Sequence, residues 1–513
     1  MSVAQGQAMH ERQNWRLWFT HRPAGGLALF ALYCLVFLAA RLWASPNIGT
    51  DDVEQAILAQ GWAWGYNPAQ PPLFTWMLLA LYQIFGVEEL AHLILKYGLL
   101  FATYAGLHLL SFRWISPGNR LLGSASLLLL YPFAWGVHAG YTHSLLMAAL
   151  VPWVVWAFDR AFTGRRWVDV ILLGLLLGIA LQSKFNFVIL AVALVAAIAV
   201  EERYRSFLVS EKMAVAVGLA GLLLMPQIIW LMGGAHEPGK LLARMAVSGT
   251  ENPFVRAAMN IGKFAQSSLL ALIPFWVIAL SLLWPALRRP TRPSSPWPAI
   301  VSRAILISML IVLAIVLATG VSIAKERYLL PLVMLLPLVT VAAVDRIALS
   351  PWRRIVFVSA VPLAGLCGFG FLIAQGLMEA KVSNKTSRLA APIPAFAAKL
   401  AEAGFSKGTI LAADEHLGAN LRFAFPAAFV SVPTYSNFIP GQPDHAGSCL
   451  IVWSGQGLDK APQSLVDLAR RQGIGAEALA APQKLDLPLM RYPARTESYA
   501  YVLVPNLGGD CRP

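Results

Sequence analysis

The chain of 513 residues is too apolar for an ordinary soluble fold, because 58% of its residues are hydrophobic and only 13% are charged. Soluble domains are usually about 45–50% apolar and about 25% charged. The low charge and the many large apolar residues also exclude an intrinsically disordered chain. A polytopic membrane protein remains. Its formal net charge of +14 then indicates basic loops that contact membrane lipids, with no nucleic acid as a partner.

Eleven apolar stretches are long enough to be membrane-crossing helices, since about 20 mostly apolar residues span a bilayer. The predicted spans lie near residues 25–44, 90–112, 119–137, 143–159, 166–183, 185–200, 212–232, 263–286, 303–320, 328–345 and 355–377. The first is predicted to be a retained anchor, because no small-residue cleavage site follows it closely. The stretch 72–86 is short and follows two prolines, which predicts an interfacial helix.

Basic residues predict the orientation of these spans. If residues 1–24 are cytoplasmic, every inner loop is basic and the outer loops are nearly neutral, as the positive-inside rule requires. The inner loops after the first segment contain Arg113, Arg120, Arg160, Arg165, Arg166, Arg203, Arg205, Lys212, Arg288, Arg289, Arg292, Arg303, Arg346, Arg353 and Arg354. An odd number of spans then places residues 378–513 outside.

The segment 378–513 differs in kind from the rest of the chain, because it is more polar and has short strand-like runs. These runs are Thr409–Ala413, Cys449–Trp453 and Tyr499–Val504, with a helix-like stretch at Ser464–Arg471. We predict a small α/β domain on the outer face. Cys449 and Cys511 either form a disulfide in that oxidising compartment or remain two buried thiols. None of the four cysteines stands in a CxxC or CxxH motif, so no zinc site is indicated.

Three acidic residues stand close together in the loop after the first span, residues 45–89. Asp51, Asp52 and Glu54 lie within four positions and have no basic residue nearby in sequence. Ionisable residues beside lipid are costly and usually mark a site. Alternatively, Thr50 begins a helix whose positive dipole end favours acidic side chains. The two interpretations are compatible with each other.

Two histidines mark the turn between the third and fourth predicted spans, on the same side as the acidic loop. His138 and His143 are either hydrogen-bonded interfacial residues or part of a site that faces Asp51 or Asp52.

Cationic residues occupy two further outer turns. Lys184 lies between the fifth and sixth spans, where it is either a snorkelling lysine or part of the site. Lys325, Arg327 and Tyr328 come just before the tenth span, as an interfacial anchor or as an anion clamp. Carboxylates on one side and cations on the other suit transfer from a phosphate-linked donor.

The acidic loop resembles that of bacterial members of glycosyltransferase family 39, which include protein O-mannosyltransferases and the aminoarabinose transferase of lipid A. The matching residues are Asp51, Asp52, Trp64-Gly65-Tyr66, Gln70-Pro71-Pro72-Leu73 and Trp76. The turn that contains Lys184 looks like the family's Leu-x-Ser-Lys-Tyr turn. The segment that begins at Lys325 looks like its Lys-x-Arg-Trp-Leu segment. The resemblance covers roughly residues 25–345.

The resemblance implies the GT-C fold, an all-α polytopic membrane protein with about 11 transmembrane helices, here followed by a small C-terminal α/β domain. Residues 25–377 would form the transferase domain and residues 378–513 a periplasmic domain. The resemblance also implies a multi-pass protein of the bacterial inner membrane. Its donor would be a polyprenyl-phosphate sugar, transferred with inversion on the periplasmic side to a lipid or glycan acceptor.

The family's motif assigns roles residue by residue. Asp51 takes the position of the catalytic aspartate, as general base or to orient the acceptor. Asp52, at the companion position, is the second predicted catalytic residue and would help to position the acceptor or the sugar. Lys184, Lys325 and Arg327 would hold the donor phosphate. The candidates for contacts with the sugar or the acceptor are Glu54, Tyr66, Gln70, His138, His143 and Tyr328.

Two positions depart from the common family pattern. Many members have His where this chain has Gln70, and a second Asp where it has Thr142 and His143. Both changes look more like the lipid A and core galacturonosyltransferases, which favours a uronic acid as the sugar. The second change also puts a shared metal site in doubt. Asp51 and His143 are the candidate ligands if a divalent ion is a cofactor.

Three other functions remain as alternatives at this stage. A flippase or transporter of a lipid-linked sugar would use a similar cationic cavity, but the inner loops have no second acidic cluster and no inverted repeat is visible. A protein O-glycosyltransferase would differ only in its acceptor. An outer-face assembly protein would bind a partner through its C-terminal domain alone.

Overall fold

The computed structural model describes residues 22–233, 253–284, 288, 295–319, 326–345, 347, 349–382, 388–436, 447–455 and 457–504. The helices up to residue 382 are α1 (Pro23–Ala44), α2 (Asp51–Leu58), α3 (Leu73–Phe85), α4 (Glu89–Trp114), α5 (Arg120–Ala125), α6 (Val137–Gly140), α7 (His143–Gly164), α8 (Trp167–Leu181), α9 (Phe187–Ala199), α10 (Glu202–Leu208), α11 (Glu211–Gly233), α12 (Pro253–Leu272), α13 (Phe275–Ile278), α14 (Trp297–Thr319), α15 (Glu326–Val333), α16 (Leu336–Val344) and α17 (Pro351–Val382).

Seven helices in these ranges are long and apolar enough to cross a membrane, with α15 and α16 counted as one. Helices α8 and α9 fall on two further predicted spans but have only 15 and 13 residues. The predicted interfacial segment forms α3, which also has 13 residues. The prediction of a polytopic helical membrane protein is confirmed.

Two predicted spans are wrong as continuous helices. The span 119–137 divides into α5, a 3₁₀ turn, a π turn and α6, and the span 263–286 breaks between α12 and α13. Pro132 and Pro274 lie at these breaks, and proline lacks the N–H that a continuous helix needs. The two breaks meet, because the Tyr131 N–H donates to the Ile273 carbonyl at 2.7 Å. Irregular backbone at membrane depth is tolerated where it is buried and paired in this way.

Charged residues in or beside the predicted inner loops contact one another. They form ion pairs between consecutive and distant helices. The pairs are Arg113–Asp159, Arg160–Asp169 and Arg303–Glu201, with N–O distances of 2.7–2.8 Å. Residues from the predicted outer turns, Asp51 and Arg327, likewise contact each other. These contacts therefore join residues that the sequence analysis places on the same predicted side.

The C-terminal segment contains a five-stranded sheet in the order β2-β1-β3-β5-β4. The strands are β1 (Gly408–Ala412), β2 (Phe429–Ser431), β3 (Ser448–Ser454), β4 (Gln483–Leu489) and β5 (Tyr492–Val504), and the helices are α18 (Ile393–Glu402), α19 (Glu415–Ala424) and α20 (Gln463–Arg471). Strand β1 pairs in parallel with β2 and β3, whereas β5 pairs antiparallel with β3 and β4.

Side chains of β1 alternate between two apolar layers of this sheet. Ile410 packs in the layer that contains α18 and α19, and Leu411 in the layer that contains α20. The predicted α/β domain is confirmed, although the sequence analysis missed β2 and β4. Cys449 lies buried in β3. Cys511 lies outside the described residues, so its pairing with Cys449 stays a prediction.

Candidate active site

Helix α2 displays three faces because its sequence repeats apolar and polar residues at helical spacing. Asp51 and Glu54 lie three positions apart and share the face that lines a cavity. Val53 and Ile57 are buried on a second face, in the same apolar cluster as the C-terminal domain. The third face points into the membrane bundle.

On that third face, Asp52 is buried and accepts a hydrogen bond from the Lys96 ammonium at 2.6 Å. One turn further on, Gln55 accepts a hydrogen bond from the Thr75 hydroxyl at 2.7 Å. These contacts tie α2 to α4 and α3.

Asp51 forms an ion pair with Arg327 across 276 residues of sequence. The Nη1 of Arg327 lies 2.8 Å from Oδ1 and 2.9 Å from Oδ2 of Asp51. Burial raises the pKa of Asp51, and the nearby guanidinium opposes that shift. The pair thus places a carboxylate and a permanent cation side by side at the wall of the cavity.

Lys184 lies behind this pair and is buried. Its ammonium donates to the Ser144 hydroxyl at 2.6 Å and lies 4.6 Å from the centre of the Tyr328 ring. Burial, and then the charge of Arg327, lower the pKa of Lys184 to about 7. Two cations therefore share this region with Asp51, and the Arg327 guanidinium also lies over Tyr328, at 5.6 Å.

The cavity itself has a volume of about 600 Å³. Thr50, Asp51, Val53, Glu54 and Arg327 line it from the membrane part of the chain. The C-terminal domain supplies the remaining lining residues, which sequence reasoning missed. They are Arg388, Asp414, Glu415, His416, Tyr435, Ser454, Gly455 and Glu497.

A sequence signal for part of that lining was available. The trio Asp414-Glu415-His416 begins two residues after the buried strand β1 ends at Ala412, and ligands bind at the carboxyl ends of parallel strands. Asp414 also caps α19, since its Oδ1 accepts the Leu417 N–H at 3.0 Å. The cavity thus lies between α2, the start of α15 and this edge of the C-terminal sheet.

Glu54 is the second carboxylate of α2 in the cavity. Its Oε1 accepts a hydrogen bond from the Asn67 amide at 3.0 Å, and the Tyr435 hydroxyl also bonds to this side chain. Burial raises the pKa of Glu54 to about 7. Glu54 can therefore hold or release a proton near neutral pH.

The start of α2 is held tightly against the turn before α7. The Thr50 hydroxyl donates to the Ala139 carbonyl at 2.9 Å. Gly140 lies beneath it with φ at +150°, and a Cβ there would come within 1.5 Å of the Thr50 Oγ1. Only glycine permits this close approach.

Several predicted site residues are not among the side chains that line the cavity. Besides Asp52, His138 is buried between the Tyr33 and Tyr97 hydroxyls, at 3.0 and 3.3 Å. The Nδ1 of His143 lies 3.2 Å from the Ser183 carbonyl oxygen, in the turn of Lys184.

The loop between α2 and α3 contains two further predicted residues outside the cavity lining. The Tyr66 hydroxyl donates to the Gly61 carbonyl and fixes this loop. Gln70 is half-buried, and its backbone N–H donates to the Asn67 carbonyl at 3.1 Å.

Lys325, predicted to bind the donor phosphate, lies outside the described residues. For a metal ion, Asp51 and His143 are a poor fit, because Arg327 already occupies both oxygens of Asp51. Within the described ranges, no group of three or more His, Cys, Asp and Glu side chains could hold a metal ion.

A second cavity, an apolar groove, has a volume of about 510 Å³. The broken segment around Leu128 and Trp135 forms one wall, and the α17 residues Ala364 and Phe371 form the other. Tyr131 lines the groove and donates to the Glu326 carboxylate at 3.0 Å. A residue of the groove wall therefore contacts Glu326, which precedes Arg327 in the sequence.

Comparisons with known proteins agree with this architecture. The family model described as dolichyl-phosphate-mannose-protein mannosyltransferase matches residues 69–230. The lipopolysaccharide core galacturonosyltransferase RgtA of Rhizobium johnstonii is 27% identical over 478 residues, which cover 90% of this chain and 93% of RgtA. RgtB of the same organism is 27% identical over 437 residues, which cover 83% of this chain and 86% of RgtB.

The predicted resemblance to glycosyltransferase family 39 is confirmed. The crystal structure of ArnT from Cupriavidus metallidurans bound to undecaprenyl phosphate has a TM-score of 0.58 at 14% identity, and the match covers 95% of this chain and 99% of ArnT. The apo structure gives a TM-score of 0.57. These structural matches confirm the predicted GT-C fold with its C-terminal domain. The names of the sequence relatives bear out the predicted enzyme class, a glycosyltransferase.

Proposed function

We propose that this protein transfers a sugar from a polyprenyl-phosphate donor to lipid A or the lipopolysaccharide core. It does so in the bacterial inner membrane, with the cavity and the C-terminal domain on the periplasmic face. The basic residues of the predicted inner loops support this orientation. The observation that carries the proposal is the meeting of Asp51, Arg327 and Lys184 beside one polar cavity.

The charges fit a phosphate leaving group. Arg327 and Lys184 both lie beside Asp51, and they are the groups of the membrane part that can face an anionic donor. A guanidinium and an ammonium both bind phosphate oxygens well. When the bond between the sugar and the phosphate breaks, these cations stabilise the charge that develops on the departing polyprenyl phosphate.

The carboxylates of α2 serve the acceptor. An acceptor hydroxyl attacks the anomeric carbon from the face opposite the phosphate, so the configuration inverts. Its proton passes to Asp51, while the bond from the anomeric carbon to the phosphate oxygen breaks. Arg327 keeps Asp51 oriented for this step. Glu54, three residues along the same helix face, contacts the sugar or the acceptor.

The apolar groove gives the donor lipid a place beside the cations. A polyprenyl chain is a long hydrocarbon, and the groove is lined almost wholly by apolar side chains from Leu128 to Phe371. Its contact with Glu326 through Tyr131 brings the polar end of such a lipid to Arg327.

A uronic acid is the sugar that the relatives' names favour, since RgtA and RgtB are named galacturonosyltransferases. Its carboxylate needs a cation beyond those that hold the phosphate. Arg388 lines the cavity from the C-terminal domain and supplies a second guanidinium.

The test is to delete the gene and measure the molecular masses of the cell's lipid A, lipopolysaccharide core and glycolipids by mass spectrometry. The deletion strain is then complemented with the wild-type gene or with the Asp51→Asn variant. We expect the deletion to remove one sugar mass that only wild type restores. An unchanged glycolipid profile, or full rescue by Asp51→Asn, would contradict the proposal. The transport alternative is not favoured, because the relatives are named as transferases.

A further inference from the structure

The C-terminal domain packs directly on the helix that bears Asp51. Val53, Ala56 and Ile57 of α2 belong to the same buried apolar cluster as Leu417 and Leu421 of α19. One face of α2 is therefore part of the hydrophobic core of a domain that begins more than three hundred residues later in the sequence.

Two side-chain amides fasten both flanks of α2 to that domain. Before the helix, the Asn420 side chain accepts the Ile48 N–H at 2.8 Å and donates to the Ile48 carbonyl at 3.1 Å. After the helix, the Gln60 side chain donates to the Val430 carbonyl at 2.7 Å and accepts its N–H at 2.8 Å. Each side-chain amide bonds to both the N–H and the carbonyl of one residue, as a neighbouring β-strand would. These paired bonds fix the orientation of α2 on the domain as well as its distance from it.

Arg422 of α19 closes the end of α2. Its guanidinium donates to the carbonyls of Ala56 and Ala59, the second at 2.8 Å, and lies 5.2 Å from the centre of the Tyr82 ring. Carbonyls at a helix C-terminus lack helical partners, and a cation there is favourable. Arg422 is buried, and a buried charge is costly unless it is bonded. The hydrogen bonds to Ala56 and Ala59 therefore offset the cost of burying the Arg422 charge.

We propose that the C-terminal domain holds the Asp51 helix in its reactive position, with Arg422 as the main positioning residue. The expected effect on turnover rests on the proposed transferase function, whereas the position of α2 on the domain does not. Asp51 and Glu54 point into the cavity only while α2 keeps its rotation about its own axis and its position along that axis. Arg422, Asn420 and Gln60 contact the backbone that sets both.

The experiment uses the full-length protein in lipid nanodiscs and compares wild type with Arg422→Gln. Displacement of a reacting group by about 1 Å can lower the rate about a hundredfold. We expect kcat to fall roughly ten- to hundredfold, while KM for the lipid-linked donor stays within about twofold. Amide hydrogen exchange should become faster in residues 51–58 and stay unchanged in β1 and β3.

Arg471→Gln is the matched control, because Arg471 lies exposed at the end of α20 in the same domain. It should leave kcat and exchange at wild-type values. Asn420→Ala provides a second variant if Arg422→Gln is not recovered, and it should show the same pattern. A kcat within about twofold of wild type, or equal loss of protection throughout the C-terminal sheet, would overturn the proposal. If wild type itself shows no transfer, the proposed function fails, and the exchange in residues 51–58 still decides this inference.

Discussion

Asp51 and Asp52 are adjacent in sequence but have opposite environments. Asp51 faces the cavity and Arg327, whereas Asp52 is buried against Lys96 of α4. Sequence analysis could identify the acidic pair and its family position. It could not divide the roles, because both partners are distant in sequence. Since consecutive residues of a helix point about 100° apart, only one of the two can face the cavity.

Asp52→Asn tests this division. The substitution leaves the buried Lys96 ammonium without its carboxylate, and breaking a buried pair costs about 3–5 kcal/mol in the free energy of unfolding. We expect the unfolding temperature in detergent to fall clearly, whereas Asp51→Asn should leave it near wild type and abolish turnover. The control is Glu402→Gln, in an exposed pair with Lys399. Equal stability of Asp52→Asn and wild type would contradict the assignment.

Lys184 should make donor use depend on pH. Because burial lowers its pKa to about 7, the ammonium is charged below that pH and neutral above it. We expect kcat/KM for the donor, which reports groups of the free enzyme, to fall as pH rises through about 7. Lys184→Arg keeps its charge throughout this range and should move the fall to higher pH. Superimposable profiles for the two proteins would count against Lys184 as a phosphate-binding residue.

At the scale of elements, hydropathy predicted most helices but missed the breaks near residues 131 and 273. A break in a membrane helix leaves backbone groups without helical partners, so it looks unfavourable when that apolar stretch is considered alone. It is stabilised by the second break, through the bond from Tyr131 to Ile273, and no local pattern reveals that partner. The predicted strands β1, β3 and β5 were visible as buried apolar runs. Strand β2 has three residues, too few to give a pattern.

Gly140→Ala tests the junction between α2 and the turn before α7. The new Cβ would collide with the Thr50 Oγ1 and is strained at a φ of +150°. We expect folded protein with at least about tenfold lower turnover, because the start of the Asp51 helix must shift. Adding Thr50→Gly removes the colliding side chain and should restore part of the activity. Wild-type turnover of the single variant would refute the close contact.

Ala364→Phe tests the apolar groove as the place of the prenyl chain. The larger side chain narrows the groove from its α17 wall. We expect KM for a long-chain donor to rise several-fold, while KM for a donor with a short prenyl chain stays nearly unchanged. Leu366→Phe, at an exposed position of the same helix, is the matched control. Equal effects on both donors would place the lipid elsewhere.

At the scale of the whole molecule, charge patterning predicted which loops share a side of the membrane. Arg113 pairs with Asp159, and Asp51 pairs with Arg327, and the sidedness itself stays a prediction. The α/β character of residues 378–513 was also predictable. Its place on α2 was not, because the sequence does not show which core receives Val53 and Ile57. The C-terminal domain therefore forms part of the candidate active site.

The most direct measurement follows sugar transfer and lipid release together, with purified protein, a polyprenyl-phosphate uronic acid and lipopolysaccharide core acceptor. The account predicts that wild type forms glycosylated acceptor and free polyprenyl phosphate in equal amounts, with inverted configuration, and that Asp51→Asn forms neither. Turnover by Asp51→Asn at the wild-type rate would contradict the account. So would transport of intact donor across the membrane without cleavage of the bond to phosphate.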